Sequence, residues 1–102
     1  MEFEKYIQNQ IEWSADNFGP SKRTSGILKH IAKELLEVEK DPDDIEEWID
    51  IIILALDGAW RHGATPEEIT ETLRYKQWKN KMRSWPDWRA LGDDNPIEHI
   101  RD

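Results

Sequence analysis

Two pairs of carboxylates are the residues of this chain best suited to chemistry. Glu34 and Glu37 stand three positions apart, and Glu47 and Asp50 repeat that spacing further along. Because residues three or four apart share one face of an α-helix, each pair would point in one direction. A short connection between the two segments predicts antiparallel neighbouring helices, so the four carboxylates would converge. The chain has no cysteine, and a cluster of carboxylate oxygens favours Mg²⁺ or Mn²⁺ as the bound metal.

Asp50 is the most informative of the four because it interrupts the apolar run 45–56. An isolated ionised carboxylate buried in such a run costs on the order of several kcal/mol, or takes up a proton. Divalent cations remove that penalty by supplying the missing charge. The alternative is that both pairs lie on solvated helix faces, or form an acidic groove of a non-catalytic interaction module that binds a basic partner. A buried Asp50 would favour the metal site over the groove.

Two further titratable residues lie near these pairs along the chain. Asp57 is two turns after Asp50 on nearly the same side of the helix, and we expect it to form an ion pair with Arg61. His30 is one turn before Glu34. We expect His30 to be an ordinary surface or core histidine rather than a substrate contact.

Apolar periodicity and capping signals predict four helices that position these residues in an all-α fold. Asp41-Pro42 signals the start of the third helix, and Thr65-Pro66-Glu67-Glu68 is a capping box that opens the fourth. Residues 14–25 are predicted to form a loop, and residues from about 84 to 102 an irregular tail with a turn at 97–100. The whole chain, 1–102, is predicted to be one domain. The predicted helices span residues 2–13, 26–39, 42–62 and 66–83.

The third predicted helix is apolar around nearly its whole circumference, from Ile45 and Trp48 through the run 51–56. A helix that is apolar on every side is buried on every side. Three other helices in a chain of 102 residues hardly suffice to enclose it. We therefore expect a four-helix bundle assembled as a homo-oligomer, a dimer or a tetramer.

The formal net charge is −8, which argues against binding to a nucleic-acid polymer or to an anionic membrane surface. The average conceals an asymmetry, because residues 34–57 contain ten acidic residues and one basic residue, whereas residues 74–89 contain six basic residues and one acidic residue. Acidic and basic blocks together suit a site for metal ions and a polyphosphate. They could equally pair with each other or face water. The composition predicts a soluble, cytoplasmic protein without a signal peptide or membrane span.

The acidic pairs resemble the metal signature of MazG-like pyrophosphohydrolases, whose broad pattern is E-E-x-x-E followed by E-x-x-D. Residues 18–63, 76–89 and 95–102 are more specifically similar to the dATP/dGTP pyrophosphohydrolase branch, the MazZ type of phages and bacteria. The match includes the strings "KQWKNKMRSWPDWR" and "NPIEHIRD". Lys33 stands where the broad pattern has its first glutamate.

The resemblance implies hydrolysis of a purine deoxynucleoside triphosphate, dATP or dGTP, to the monophosphate and pyrophosphate. It also implies two or three Mg²⁺ ions, for which Mn²⁺ would substitute, held by Glu34, Glu37, Glu47 and Asp50. The ions would activate a water for attack on the α-phosphorus. One glutamate would accept the proton of that water, with Glu37 the first choice and Glu34 the second. A broader housekeeping triphosphate pyrophosphohydrolase is the alternative enzyme.

The resemblance also directs attention to residues that would contact such a substrate. Lys76, Lys79 and Arg83 recur along one face of the fourth predicted helix beside Asn80, where they would hold phosphates or form a solvated basic face. Asn80 could also read a base edge through its amide. Trp13 is the first choice for stacking on the purine. Lys33 and Arg23 are further candidates for substrate binding.

Overall fold

The computed structural model describes residues 2–101, and the chain divides into two compact units, Met1–Thr70 and Glu71–Asp102. The described residues contain four α-helices and no strand, which confirms the predicted all-α fold. A 3₁₀ turn follows at Trp88–Ala90. No helix within residues 2–101 is both long and apolar enough to cross a membrane. The helices are α1 (Phe3–Phe18), α2 (Thr24–Lys40), α3 (Ile45–Arg61) and α4 (Pro66–Met82).

Helix α1 runs five residues further than predicted, through Phe18, and the connection to α2 is correspondingly short. Ser14 lies on the same stripe as Ile7, and both side chains are fully buried. The helix ends where Gly19 takes a positive φ of 81° and donates its backbone N–H to the Ala15 carbonyl at 2.9 Å. The predicted loop at 14–25 was therefore too long, because its first residues are helical.

Helices α1 and α2 both pack against α3 within the first unit. Asp44, rather than the predicted Asp41, caps α3 by accepting the Glu46 N–H at 3.0 Å. The Trp48 indole donates to the Pro42 carbonyl at 2.9 Å, so it links the turn between α2 and α3 to the start of α3. At the other end of the pair, the Thr24 hydroxyl meets His62 Nε2 at 2.6 Å. Helices α2 and α3 are therefore antiparallel neighbours.

The prediction that α3 is buried on every side is wrong for the single chain. Its buried residues are Leu56, Asp57 and Arg61, whereas Ile45 is 71% exposed and Trp48 52% exposed. Ile49 and Ile52 are exposed on the same face. Helices α1 and α2 cover one side of α3, and the buried apolar residues within 2–101 are Ile7, Val38 and Leu56.

The start of α4 agrees with the predicted capping box. The Thr65 N–H donates to Glu68 Oε1 at 3.2 Å, and the Glu68 N–H donates to the Thr65 hydroxyl at 3.1 Å. In the second unit the predicted turn at 97–100 is wrong, because these described residues have no regular structure. The Ile100 N–H instead donates to the Ser84 carbonyl at 2.8 Å, so the tail folds back along the end of α4.

Candidate functional site

Three of the four predicted carboxylates meet between α2 and α3. Glu34, Glu47 and Asp50 each offer a carboxylate oxygen, and these oxygens all lie within 4.8 Å of one another. The convergence follows from the antiparallel packing, which sets a residue late in α2 opposite the first two turns of α3. Three oxygen donors this close suit a hard divalent cation such as Mg²⁺ or Mn²⁺.

Glu37 lies outside this three-carboxylate group, which we call the acidic cluster. It stands one turn after Glu34 on α2, and its Oε1 atom is 3.9 Å from Lys40 Nζ. Its side chain is 42% exposed, so it is free to reorient.

Asp50 is exposed in the single chain, which contradicts the expectation that it is buried within the apolar run. It faces the same side as Glu47 one turn before it, and the apolar residues around it do not close over it. The unfavourable interaction at this site is therefore mutual repulsion among carboxylates rather than burial of a lone charge.

The electrostatic consequence is visible at Glu47. Its pKa is raised above the ordinary glutamate value, first by partial desolvation and then by the negative charge of its neighbours. Each nearby negative charge disfavours the ionised form. The contributing carboxylates, in decreasing order, are Asp44, Asp50, Glu34 and Glu37. Glu37 thus acts electrostatically on the acidic cluster although it lies outside it.

A cleft of about 360 Å³ in the first unit includes two members of the acidic cluster, Glu34 and Asp50, in its lining. Asp57 lines the same cleft and lies seven residues after Asp50, roughly 10 Å further along the axis of α3. The cleft therefore has an acidic end at Glu34 and Asp50 and a second end near Asp57.

The aromatic residues Trp13 and Phe18, at the C-terminal part of α1, also line this cleft. Their rings are 5.5 Å apart in an edge-to-face arrangement, at an interplanar angle of 84°. Both side chains are half-exposed, so a ring face is open to a planar ligand. The structure thus places Trp13 in the same cleft as Glu34 and Asp50.

A buried polar network lies behind the second end of the cleft. The Ser14 hydroxyl donates to Asp57 Oδ2 at 2.7 Å and accepts from Arg61 Nη2 at 3.0 Å. The Trp60 indole donates to Asp57 Oδ1 at 3.1 Å. The predicted direct ion pair between Asp57 and Arg61 is wrong, since the Ser14 hydroxyl bridges the two groups.

Arg61 also holds the connection between α1 and α2. Its Nη1 atom donates to the carbonyl oxygens of Gly19 at 2.8 Å and Ser21 at 2.7 Å. Arg61 is only 6% exposed, and its Nε atom is buried without a partner among the described residues. This connection ends at Arg23, a non-glycine residue with a φ of 49°. A left-handed conformation at such a residue is held by its surroundings, and it leaves Arg23 lining the cleft.

His30 and Lys33 are two further residues of the sequence analysis that lie near the acidic cluster. His30 lines the cleft, and its Nε2 atom lies 3.2 Å from Glu34 Oε1, so it is closer to the acidic cluster than the expectation of an ordinary surface histidine implied. Lys33 is exposed on α2, next to Glu34 in the chain. The cleft therefore brings together Trp13, Arg23, Glu34 and Asp50 from the predicted set.

The predicted basic residues of α4, Lys76, Lys79 and Arg83, belong to the second unit and have different surroundings there. Lys76 and Asn80 line a groove along α4. Lys79 lies over the Tyr75 ring, 6.0 Å from its centroid. Arg83 Nη1 donates to Asn80 Oδ1 at 3.1 Å, which occupies the amide oxygen that was expected to read a base.

Sequence reasoning paired Asp57 with Arg61 but missed Gln10 and Ser14, which bond to them. One signal was available, because Ser14 falls on the apolar stripe of α1, seven residues after Ile7. A small polar residue on an apolar stripe indicates a buried hydrogen-bond partner on a neighbouring element.

The chain was compared with protein families, curated proteins and solved structures. The family model described as dATP/dGTP pyrophosphohydrolase matches residues 6–102. No curated protein and no solved structure gives a significant match. The matched range includes α2 and α3 with their carboxylates, and it agrees with the resemblance found in the sequence. The chain belongs to the dATP/dGTP pyrophosphohydrolase family and is a nucleoside triphosphate pyrophosphohydrolase.

Proposed function

We propose that this protein hydrolyses dATP and dGTP to the monophosphate and pyrophosphate in a magnesium-dependent reaction. The observation that carries the proposal is the acidic cluster, three carboxylates within 4.8 Å, two of which line a cleft with Trp13 and Phe18. The acidic end suits the metal-bound triphosphate, and the aromatic end suits a purine. The family match supplies the substrate class.

The donor set fits the metal. The acidic cluster offers carboxylate oxygens only. The pKa of Glu47 is raised first by partial desolvation and then by the neighbouring carboxylates, and a cation would relieve their repulsion. Glu34, Glu47 and Asp50 would hold the ions, and Glu37, which the sequence suggested as a fourth ligand, is assigned to proton transfer instead. Bound Mg²⁺ supplies positive charge to the triphosphate oxygens and lowers the pKa of water.

The side chains of the chain itself have separate tasks in this reaction. Glu37 is our proposed proton acceptor for the attacking water, because its carboxylate is near the acidic cluster but outside it, and Glu34 is the second candidate. Water adds to the α-phosphorus, the bond to the oxygen bridging the α- and β-phosphorus breaks, and pyrophosphate departs. Trp13 stacks on the purine, and Lys33 adds positive charge beside Glu34. Arg23 adds positive charge at the second end of the cleft, since it precedes Thr24, which contacts His62.

The basic residues of α4 are proposed to neutralise the charge of the triphosphate or of the departing pyrophosphate. Lys76 and Lys79 would act as mobile point charges, and Arg83, which already holds Asn80, would act as a fixed one. Asn80 keeps its amide nitrogen for a polar contact with the substrate. These roles rest on the sequence pattern and on the need for cations around a triphosphate.

We also propose a homo-oligomer. Trp48 and Ile52 belong to a continuous exposed apolar face on α3, and Leu28 and Leu35 on α2 are exposed as well. A face of this kind is costly in water and marks an interface. A second copy of the chain would bury it and would complete the enclosure of α3 that its sequence pattern predicts.

The proposal is tested with a panel of purine and pyrimidine deoxynucleoside triphosphates and ribonucleoside triphosphates in the presence of Mg²⁺. We expect monophosphate and pyrophosphate from dATP and dGTP. In ¹⁸O-labelled water the label should enter the monophosphate, since the α-phosphorus is attacked. Label in pyrophosphate, or release of diphosphate and orthophosphate, would contradict the proposed reaction. Equal turnover of every triphosphate would favour the broader housekeeping enzyme.

A further inference from the structure

Gln10, at the second end of the cleft, combines an unused hydrogen-bond donor with an unused acceptor. Asp57 is occupied by Ser14 and by the Trp60 indole. Arg61 gives its Nη atoms to Ser14 and to two backbone carbonyls. Gln10 also lines the cleft, is half-buried, and makes a single hydrogen bond among the described residues.

That single bond orients the Gln10 amide. Its Nε2 atom donates to Asp57 Oδ1 at 3.4 Å, which is longer than a strong N–H···O bond. The Oε1 atom and the second Nε2 hydrogen remain for a ligand. Because Asp57 already accepts two shorter bonds, the contact to Gln10 is the weakest that it makes. Asp57 therefore holds the Gln10 amide only weakly, and the amide keeps one donor and one acceptor for a ligand.

We propose that Gln10 is the residue that recognises position 6 of the purine ring; this inference rests on the proposed function. Adenine presents an amino donor at that position, and guanine presents a carbonyl acceptor. A carboxamide holds both a donor and an acceptor, so one side chain serves both bases. With Nε2 on Asp57, the Oε1 atom accepts from the adenine amino group. The second Nε2 hydrogen, which Asp57 does not use, donates to the guanine carbonyl.

The geometry of the cleft supports this assignment. Gln10 is on the same helix as Trp13, one turn before it, and both line the cleft. A purine stacked on Trp13 would therefore direct one edge toward the Gln10 amide. The acidic end lies on the opposite side, at Glu34 and Asp50. A residue that recognises the group at position 6, whether it is a donor or an acceptor, accounts for a family that accepts dATP and dGTP together.

The test removes the hydrogen bond at position 6 either from the enzyme, by substituting Gln10, or from the substrate, by omitting the group at that position. The substrates are dATP, dGTP and the purine deoxynucleoside triphosphate that lacks any substituent at position 6. We expect Gln10→Met to lower kcat/KM for dATP and dGTP by about three- to tenfold, the loss of one neutral hydrogen bond, and to leave the unsubstituted analogue unchanged. Gln8→Met is the matched control, since Gln8 is exposed on α1 and bonds only to Glu12; it should change none of the three.

Gln10→Glu provides a second variant of the same size. The assay is run at about pH 9, so that the new carboxyl is ionised despite the adjacent Asp57. A carboxylate accepts but does not donate, so the ratio of kcat/KM for dATP to that for dGTP should rise by about three- to tenfold. Equal losses on all three substrates with Gln10→Met, no loss, or an unchanged ratio with Gln10→Glu would overturn the assignment while leaving the proposed function standing. A wild-type protein that hydrolyses none of the three would overturn both together.

Discussion

A carboxylate oxygen of Glu34 on α2 lies within 4.8 Å of a carboxylate oxygen of Asp50 on α3, and an oxygen of Glu47 lies within the same limit of both. Like charges at this separation repel each other even in water. The metal-free protein should therefore gain stability when one of the charges is removed. We expect Asp50→Asn to raise the melting temperature by a few degrees without metal and to abolish the further rise that Mg²⁺ causes in the wild type. Differential scanning calorimetry measures both, and Asp43→Asn, in the exposed turn before α3, is the control.

The convergence of Glu34 with Asp50 could be predicted from helical spacing and from the short turn between α2 and α3. Their part as metal ligands stays a prediction. The exposure of Asp50 could not be predicted, because an apolar run does not say which of its sides the same chain covers. The helical conformation of Ser14 was also not predicted, because the local sequence does not show what bonds to its hydroxyl. Its partners, Asp57 and Arg61, are more than forty residues away along the chain.

The pH dependence of stability is predicted by the raised pKa of Glu47. A carboxyl whose pKa is raised in the folded state binds a proton more readily there than in the unfolded chain. It therefore lowers stability as the pH rises through the folded-state pKa. Without metal, we expect the melting temperature of Glu47→Gln to exceed that of the wild type at about pH 7, and the difference to shrink toward about pH 4. A difference that grows on acidification would contradict the direction of the shift.

The catalytic assignments separate Glu37 from the acidic cluster. We expect Glu47→Gln and Asp50→Asn to lower kcat/KM by at least about 100-fold and to raise the Mg²⁺ concentration needed for half-maximal rate, as loss of a ligand does. Glu37→Gln should lower kcat by a similar factor with a smaller change in the Mg²⁺ requirement, because a proton acceptor is lost. Glu39→Gln, exposed on the same helix, should behave as the wild type. Full activity of Glu37→Gln would exclude it as the base.

The Ser14 network is predicted to stabilise the fold. Ser14→Ala leaves buried Asp57 and Arg61 without their shared hydroxyl, which should lower the free energy of unfolding by about 1–3 kcal/mol. Urea unfolding followed by circular dichroism measures the change. Ser25→Ala is the control, because Ser25 is exposed near the start of α2. If Ser14→Ala unfolds at the same urea concentration as the wild type, the hydroxyl bridge contributes nothing to stability.

The exposed apolar face of α3 predicts that a charged substitution on it disrupts the oligomer. Replacing Ile52, which is 50% exposed, by glutamate puts a charge in the proposed interface between copies. We expect Ile52→Glu to reduce the mass measured by sedimentation equilibrium to that of a single chain. Leu91→Glu, an exposed apolar position in the second unit, should keep the wild-type mass. A wild-type mass equal to that of a single chain would contradict the proposed interface.

The binding of cations by Glu34, Glu47 and Asp50 is tested most directly by counting bound metal. Mn²⁺ is titrated into the protein in the presence of a dATP analogue whose α–β bridging oxygen is replaced by an imido group, and free Mn²⁺ is measured by electron paramagnetic resonance. We expect the wild type and Glu39→Gln to bind Mn²⁺ equally, and Asp50→Asn to bind fewer ions or to bind them at least about tenfold more weakly. Equal Mn²⁺ binding by the wild type and Asp50→Asn would contradict a metal site at these carboxylates.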